Sequence, residues 1–327
     1  MRLINRLKLS SIGLGGRFAL PAGSRGRLSI LIFHSVVPEP DPWRFGSICA
    51  GDFDRLMAYV SEYFSVLPLE DAVSRLQAGR LPARSLAITF DDGYRDNAEI
   101  ALPILARHGL TATFFIVTGM LNGGIMWNDS IVEVFRRPTS FKGFEELQVE
   151  PSELASESAR ISACKRVLGQ LKYLAPERRA AAVMELVQRT GTTLSRTLMM
   201  KPEHVRQLVD SGMTVGGHTA THPILASLAD EAAELEIRRG KDELSDLVGQ
   251  EIKLFAYPNG RPGQDFKRVH VDIVRRLGFT AAVTTSHGTS NNHSDIHQLA
   301  RFTPWDRDPF RFGLRLLMNS RHAAATV

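Results

Sequence analysis

The chain alternates short apolar segments with amphipathic segments of helical spacing, and this alternation is the feature that most limits its fold. Residues 28–33 (LSILIF) and 85–90 (SLAITF) are almost wholly apolar, as in strands buried on both faces of a parallel sheet. Residues 97–109 and 228–249 show helical spacing and each ends at a glycine. At least six such strand-to-helix units predict an α/β fold with a parallel sheet, either open or closed as a barrel.

One long segment interrupts this alternation. Residues 120–200 contain helical patterns such as SESARISACKRVLGQLKYL and few strand signals. We predict a helical insertion there, within one domain spanning residues 28–327; a separate small helical domain is the alternative. Residues 1–27 precede the first predicted strand, and we expect them to form an N-terminal lead-in segment.

Composition excludes several classes of protein. A hydrophobic fraction of 43% supplies a substantial core, and a formal net charge of +5 is only a mild excess. No nucleic-acid-binding motif accompanies that charge, so we expect no nucleic-acid partner. The two cysteines, Cys49 and Cys164, are far apart and do not form a disulfide framework, so we expect free thiols.

The N-terminal residues bear on the location of the protein. They are basic, but polar residues break every apolar stretch, whereas a secretory signal needs about 7–15 continuous apolar residues. We therefore expect a cytoplasmic location. Peripheral contact with a membrane surface, through a short amphipathic turn over residues 3–9, is the alternative.

Unusual polar residues follow four of the predicted strands. They are His34, the pair Asp91 and Asp92, the pair His218 and His222, and the turn YPNG at 257–260. Because the carboxyl ends of parallel strands meet at one edge, we expect these groups to converge on one rim, where α/β folds place their chemistry.

The two pairs suggest a metal site. Adjacent carboxylates at Asp91 and Asp92 repel each other, so a cation or a shared proton is expected nearby; a helix N-cap is the alternative. His218 and His222, spaced four apart, suit one ion, although two loop histidines facing water would share that spacing. A His/His/Asp set would leave an open position for water and favours zinc, with cobalt or nickel as alternatives.

The order TFDDG, HTATHP and an aromatic-Pro-x-Gly turn resembles the polysaccharide deacetylases of the NodB-like group, carbohydrate esterase family 4. The resemblance covers roughly residues 28–305 apart from the insertion. It implies a distorted (β/α)7 barrel, here with a helical insertion. It also implies a divalent metal cofactor, a hydrolase activity and an N-acetylated glycan as the substrate partner.

The resemblance assigns roles by position. Asp91 would be the general base, and Asp92, His218 and His222 the metal ligands. The backbone N–H of Asn259 would stabilise the oxyanion that forms during hydrolysis. These roles agree with metal-assisted hydrolysis, in which a carboxylate accepts the proton of the attacking water.

The general acid is the least regular part of the pattern. Family members usually carry a late histidine motif, and His297 in DIHQLARF does not end a strand. His34 does end a strand, which resembles the circularly permuted poly-N-acetylglucosamine deacetylase subgroup. We therefore predict His34 as the general acid, with His297 as the alternative and a buried structural role for His34 as a further one.

Two further departures concern supporting residues. Many members have an arginine that pairs with the base where this chain has Ala256, and Arg301 is the candidate replacement. The Asp-Trp motif of the family has two weak candidates, WND at 127–129 and PWD at 304–306. Trp127 or Trp305 could stack on a sugar ring, although tryptophans more often lie in the core.

The function expected from these features is hydrolysis of N-acetyl groups on hexosamine residues of a polysaccharide or glycolipid precursor. One alternative is an O-acetyl esterase or non-sugar amidase on the same scaffold. Another is a glycan-binding protein without activity, although the intact DD and HxxxH motifs argue against it. The sequence does not indicate an oligomeric state.

Overall fold

The computed structural model describes residues 20–137, 149–320, 322 and 324–327, so most of the predicted lead-in segment lies outside it. The strands are β1 (Ser29–Phe33), β2 (Val36–Val37), β3 (Ile48–Cys49), β4 (Ser65–Val66), β5 (Ser85–Phe90), β6 (Thr113–Ile116), β7 (Thr214–Gly217), β8 (Leu254–Ala256) and β9 (Ala281–Val283). The α-helices are α1 (Ala50–Tyr63), α2 (Leu69–Gln77), α3 (Leu102–Arg107), α4 (Trp127–Arg136), α5 (Glu157–Lys172), α6 (Pro176–Thr190), α7 (Pro202–Asp210), α8 (Asp230–Val248), α9 (Arg268–Arg276) and α10 (Pro309–Asn319). A π-helix spans Asn97–Ala101, and short 3₁₀ turns span Thr118–Met120, Pro151–Leu154 and Leu225–Ser227.

One parallel sheet organises the domain. Its strands follow the order β1-β5-β6-β7-β8-β9, and β4 pairs with the start of β5. The segment 298–302 joins the two outer strands, because Leu299 donates to the Ala282 carbonyl of β9 and Phe302 donates to the Ile30 carbonyl of β1. The sheet is thus a distorted (β/α) barrel, which confirms the predicted fold class.

The apolar strands are buried on both faces. Neighbouring residues of a strand enter different clusters: Leu31 and Phe114 belong to one core, and Ile30 and Phe115 to another. Side chains of a strand alternate between its two faces, so apolar residues at every position are needed when both faces are covered. This explains why the sequence shows continuous apolar runs rather than alternation.

The predicted helix at 97–109 is only partly α-helical. It begins as the π-helix Asn97–Ala101, with the Leu102 amide donating to the Asn97 carbonyl five residues back, and continues as α3. Pro103 lies at the start of α3 and has no amide proton, so it cannot continue an α-helical ladder from the preceding turn. The wider turn accommodates this missing donor.

The described residues of the segment 120–200 are mainly helical. Helices α4, α5 and α6 share a core that includes Trp43, Phe135 and Leu171. Cys164 is buried in that core, Cys49 is partly buried, and both are free thiols as predicted. Within the described ranges, no helix combines the length and apolarity that crossing a membrane requires.

A glycine in α8 sets how closely that helix approaches the HTATHP loop. A Cβ on Gly240 would lie 2.6 Å from the Thr219 carbonyl carbon, whereas a Cβ on Gly169 in α5 would meet nothing within 4 Å. We expect Gly240→Ala to lower the free energy of unfolding by about 1–3 kcal/mol through overpacking. The matched Gly169→Ala should raise it by about 0.5–1 kcal/mol. Urea denaturation of both variants tests this. Equal changes in the free energy of unfolding would contradict a close contact between Gly240 and the HTATHP loop.

Candidate active site

A cavity of about 670 Å³ opens at the carboxyl ends of the barrel strands. All six side chains and turns predicted to carry chemistry line it, namely His34, Asp91, Asp92, His218, His222 and Asn259. The predicted convergence is therefore present. The sheet register accounts for it, because His34, Asp91 and His218 directly follow β1, β5 and β7.

Asp92, His218 and His222 form a compact set of potential metal ligands. Their nearest ligand atoms all lie within 4.8 Å of one another, and Asp92 Oδ1 is 3.5 Å from His218 Nε2 and 3.4 Å from His222 Nε2. His218 Nδ1 donates to the Ala256 carbonyl at 2.7 Å, so its Nε2 is the nitrogen with a lone pair. Asp92 Oδ1 is buried and has no hydrogen-bond partner within the described residues. This donor set and its unpaired oxygen fit a divalent cation.

The electrostatics of this set also suit a cation. Burial raises the pKa of Asp92, but the nearby imidazoles of His218 and His222 outweigh it, so the carboxyl pKa falls below its usual value. Burial lowers the pKa of His222 to about 4, which leaves its imidazole neutral and able to ligate. Burial also acts to lower the pKa of His218, but Asp92 and Asp91 reverse this and raise it. The two carboxylates therefore attract positive charge to this point.

Backbone strain is concentrated around the same point. Of the six non-glycine residues with positive φ in the described chain, four belong to the site: Asp92 (75°), Thr219 (66°), His222 (60°) and Asn259 (59°). A left-handed conformation is costly for such residues and persists only where surrounding contacts enforce it. The loop and turn conformations that aim these groups are therefore held by their neighbours.

Hydrogen bonds within the HTATHP loop and from α8 hold the conformation of the loop. Thr219 Oγ1 accepts from the His222 amide at 3.0 Å and donates to the His218 carbonyl at 2.6 Å. Glu236 of α8 accepts from the Thr221 amide at 2.8 Å and the Thr221 hydroxyl at 2.9 Å. Sequence reasoning did not identify Glu236, because it lies among many charged residues of a surface helix.

Asp91 forms a bidentate ion pair with Arg301. Two distances of 2.7 Å join the guanidinium to the two carboxylate oxygens, and Arg301 is only 1% exposed. Arg301 also donates from Nε to the Thr284 carbonyl at 2.7 Å. Burial raises the pKa of Asp91, but the charges of Arg301 and His218 outweigh it and hold the carboxyl below its usual value. The structure thus places Arg301 against the predicted base, as the sequence hypothesis suggested.

His34 and His297 occupy different environments. His34 is exposed at the cavity, so the alternative of a buried structural histidine is wrong. Its carbonyl accepts from Asn97 Nδ2 at 2.8 Å, and Asp96 holds the next turn by accepting from the Val36 amide at 3.2 Å. His297 is nearly buried away from the cavity lining, with Nε2 donating to the Phe279 carbonyl at 2.9 Å.

Hydrogen bonds to the carbonyls of Asn259 and Gly260 fix the turn that contains Asn259. Thr285 donates from its hydroxyl to the Asn259 carbonyl at 2.7 Å, and the Thr285 amide donates to Gly260 at 2.9 Å. Across the described ranges, the amide of Asn259 has no protein acceptor. This leaves an N–H at the cavity that is available to a developing negative charge.

The two candidates for the Asp-Trp motif lie in different environments. Asp129 lines the cavity and accepts from the Tyr94 hydroxyl at 2.9 Å and from Arg44 at 3.2 Å. Asp306 instead pairs with Arg315 of α10 at 2.7 Å. Both Trp127 and Trp305 line the cavity; Trp305 is 62% exposed, whereas Trp127 is half-buried and also packs against the core of α4, α5 and α6.

Comparison with known proteins points to one family. The sequence model of the polysaccharide deacetylase family matches residues 78–159 and 171–282, more than half of the chain. His34 and Arg301 lie outside the matched residues. The chain is 18% identical over 284 residues to YxkH of Bacillus subtilis (strain 168), assigned by name to the polysaccharide deacetylases. That alignment covers 84% of this chain and 70% of YxkH.

Solved structures show the same fold. The Streptococcus pyogenes deacetylase PplD, determined in complex with acetate, has a TM-score of 0.60 and 19% identity, covering 91% of this chain and 100% of PplD. IcaB from Ammonifex degensii has a TM-score of 0.58 and 18% identity, covering 92% and 98%. The BpsB deacetylase domain from Bordetella bronchiseptica has a TM-score of 0.54 and 15% identity, covering 86% and 97%.

The buried ion pair should be essential to stability. Arg301→Met would leave the Asp91 carboxylate buried without its partner, so we expect the free energy of unfolding to fall by about 3–5 kcal/mol. The double variant with Asp91→Asn removes both charges and should be more stable than Arg301→Met alone. Urea denaturation in excess chelator measures this without a contribution from metal. A double variant as unstable as the sum of both single variants would contradict the coupling.

Asp129 should make stability depend on pH. Burial raises its pKa to about 6, with Arg44 and Tyr94 opposing, from 3.8 in the unfolded chain. Between these values the folded state holds the extra proton, so stability falls as pH rises, by about 1.4 kcal/mol per unit at most. We expect Asp129→Asn to lose this dependence. Between pH 4 and 7, the free energy of unfolding of the wild type should therefore fall by about 2 kcal/mol relative to that of the variant. A constant difference in unfolding free energy across that range would contradict the shifted pKa.

Proposed function

Because the chain belongs to the polysaccharide deacetylase family, we propose that it is a metal-dependent hydrolase acting on N-acetylated hexosamine residues of a polysaccharide or glycolipid precursor. One observation carries the proposal: the Asp92, His218 and His222 set lies beside a second carboxylate, Asp91, that is fixed by Arg301. A site of this kind separates the group that would hold a cation from the group that would accept a proton.

The cation would be held by Asp92 Oδ1 and the Nε2 atoms of His218 and His222, and zinc is the metal we propose first. When bound, such an ion supplies Lewis-acid chemistry, polarising the acetyl carbonyl and lowering the pKa of water. The hydrogen bond from His218 Nδ1 to the Ala256 carbonyl would fix the tautomer and orientation that this ligation needs.

Asp91 is proposed as the general base. Its lowered pKa keeps the carboxylate ionised near neutral pH, and Arg301 holds both of its oxygens in one orientation. An ionised carboxylate in the cavity accepts the proton of the water that attacks the acetyl carbon. Since Arg301 does not line the cavity, it is proposed to act on the reaction through Asp91.

The remaining groups would handle charge and the leaving amine. The Asn259 N–H is available to stabilise the oxyanion that forms when the carbonyl carbon is attacked. His34 is exposed at the cavity, so it can donate a proton to the departing sugar amine and regain one from solvent. The products are acetate and a hexosamine with a free amine.

Acetate release from N-acetylglucosamine oligomers tests this function. We expect release with added zinc, cobalt or nickel, and none after chelation. Asp91→Asn should lower kcat by about 10²–10⁴-fold while retaining bound metal, because the base is lost and the ligands are intact. His222→Gln should lose both activity and metal, as measured by elemental analysis.

The substrate panel separates the alternatives. Release from O-acetylated esters with none from N-acetyl sugars would replace the proposal by an esterase on the same scaffold. Metal bound without release from any substrate would indicate another acyl substrate or a glycan-binding role. A wild-type protein that binds no metal would refute the ligand assignment.

A further inference from the structure

Helix α5 of the helical insertion forms one wall of the candidate active-site cavity. Gly169 and Lys172 line the cavity together with the site residues. The end of the helix is tied to the barrel, because the Gln264 side chain from the loop after β8 donates to the Tyr173 hydroxyl at 2.7 Å. The wall is therefore held near the Asn259 turn, which belongs to the same connection.

Lys172 is the unpaired cation of this wall. Two other cations of the lining have carboxylate partners: Arg44 pairs with Asp129 at 3.2 Å and Arg307 with Asp52 at 3.4 Å. In the described part of the chain, Lys172 has no carboxylate within ion-pair distance. Its ammonium lies 5.3 Å from the centroid of the Tyr173 ring.

The surroundings of Lys172 leave this charge poorly compensated. The side chain is half-buried, and burial lowers its pKa while the more distant Asp265 opposes the shift. Arg261, on the same barrel loop as Asp265, adds positive charge nearby. A cation that is partly withdrawn from water without a partner is costly unless a ligand supplies the opposite charge.

The carboxylates of the cavity cannot supply that charge. Asp91 is bound by Arg301, Asp129 by Arg44, and Asp92 faces the two histidines of the proposed cation site. The exposed Trp305, also in the cavity lining, offers a face on which a sugar ring can stack. A substrate here would meet an aromatic surface and one free ammonium group.

We infer that Lys172 forms a subsite for a negatively charged group, a phosphate or a carboxylate, on the glycan next to the N-acetylated sugar. The inference rests on the proposed deacetylase function and names its substrate class: an anionic rather than a neutral glycan. The ammonium contacts the anionic group directly and places the neighbouring acetamide over the site. The helical insertion is thereby the part of the chain that selects the substrate.

The test compares three oligomers of equal length: neutral N-acetylglucosamine, the same oligomer with a reducing-end phosphate, and alternating N-acetylglucosamine and glucuronate. Wild type should show a KM about tenfold lower for an anionic oligomer, and Lys172→Gln should remove that difference with little change in kcat. Lys253→Gln is the matched control, because Lys253 directly precedes β8 at the opposite end of the barrel and makes the same charge change. It should retain the wild-type preference.

The oligomers also distinguish the source of the charge. Preference for the phosphate, the glucuronate or both supports the subsite and identifies its ligand. The proposed subsite would be overturned by equal KM values for neutral and anionic oligomers in wild type. It would also be overturned if Lys172→Gln raised the KM of all three oligomers by the same factor. Calorimetric binding of the three oligomers to chelated protein gives a readout that does not need turnover. If no oligomer releases acetate, the proposed function fails, and loss of anionic binding in Lys172→Gln still decides the subsite.

Discussion

The bidentate pair between Asp91 and Arg301 joins the closure of the barrel to the chemistry of the site. Arg301 belongs to the segment that hydrogen-bonds to both outer strands, whereas Asp91 directly follows β5. Both side chains are almost completely buried, so each charge depends on the other for its solvation. The hydrogen bonds that close the barrel therefore also bring Arg301 to Asp91 and complete the site. A closed barrel with an unpaired, buried Asp91 carboxylate would be less stable. We regard this pair as the constraint on which the orientation of the proposed base depends.

Conformational strain is the second feature of the site, and it follows from the same geometry. Parallel strands deliver Asp92 and the HTATHP loop to one rim, but strand ends alone do not turn their side chains toward a common point. The left-handed conformations of Asp92 and His222 make that turn. Their cost is met by contacts from outside the site, such as the Glu236 side chain on the Thr221 amide and hydroxyl. Residues away from the cavity thus help to hold the arrangement of Asp92, His218 and His222.

Much of the fold could be predicted from the sequence because both faces of the strands are buried. The continuous apolar run SLAITF predicts the bounds of β5, and the polar residues after the strands predict the rim. The two-residue strands β2 and β3 could not be predicted, since they have no periodicity to detect. The closing segment was also not identifiable, because it pairs through isolated bridges rather than a ladder. Arg301 could be suggested only because Ala256 stands where a family arginine is usual, and its pairing depends on that closure.

The helical insertion extends this reasoning from the reaction to its substrate. The barrel strands position the groups proposed for acetamide hydrolysis, and the proposed base among them is paired with Arg301. Helix α5 adds a wall whose Lys172 is not paired with any carboxylate of the described residues. Because Asp91 of the barrel and Asp129 of α4 each have an arginine partner, a cation at the cavity without an ion-pair partner supports the proposed selection for charge in the ligand. Chemistry and specificity would then reside in separate parts of one chain, so the insertion could change without disturbing the ion pair that orients the base.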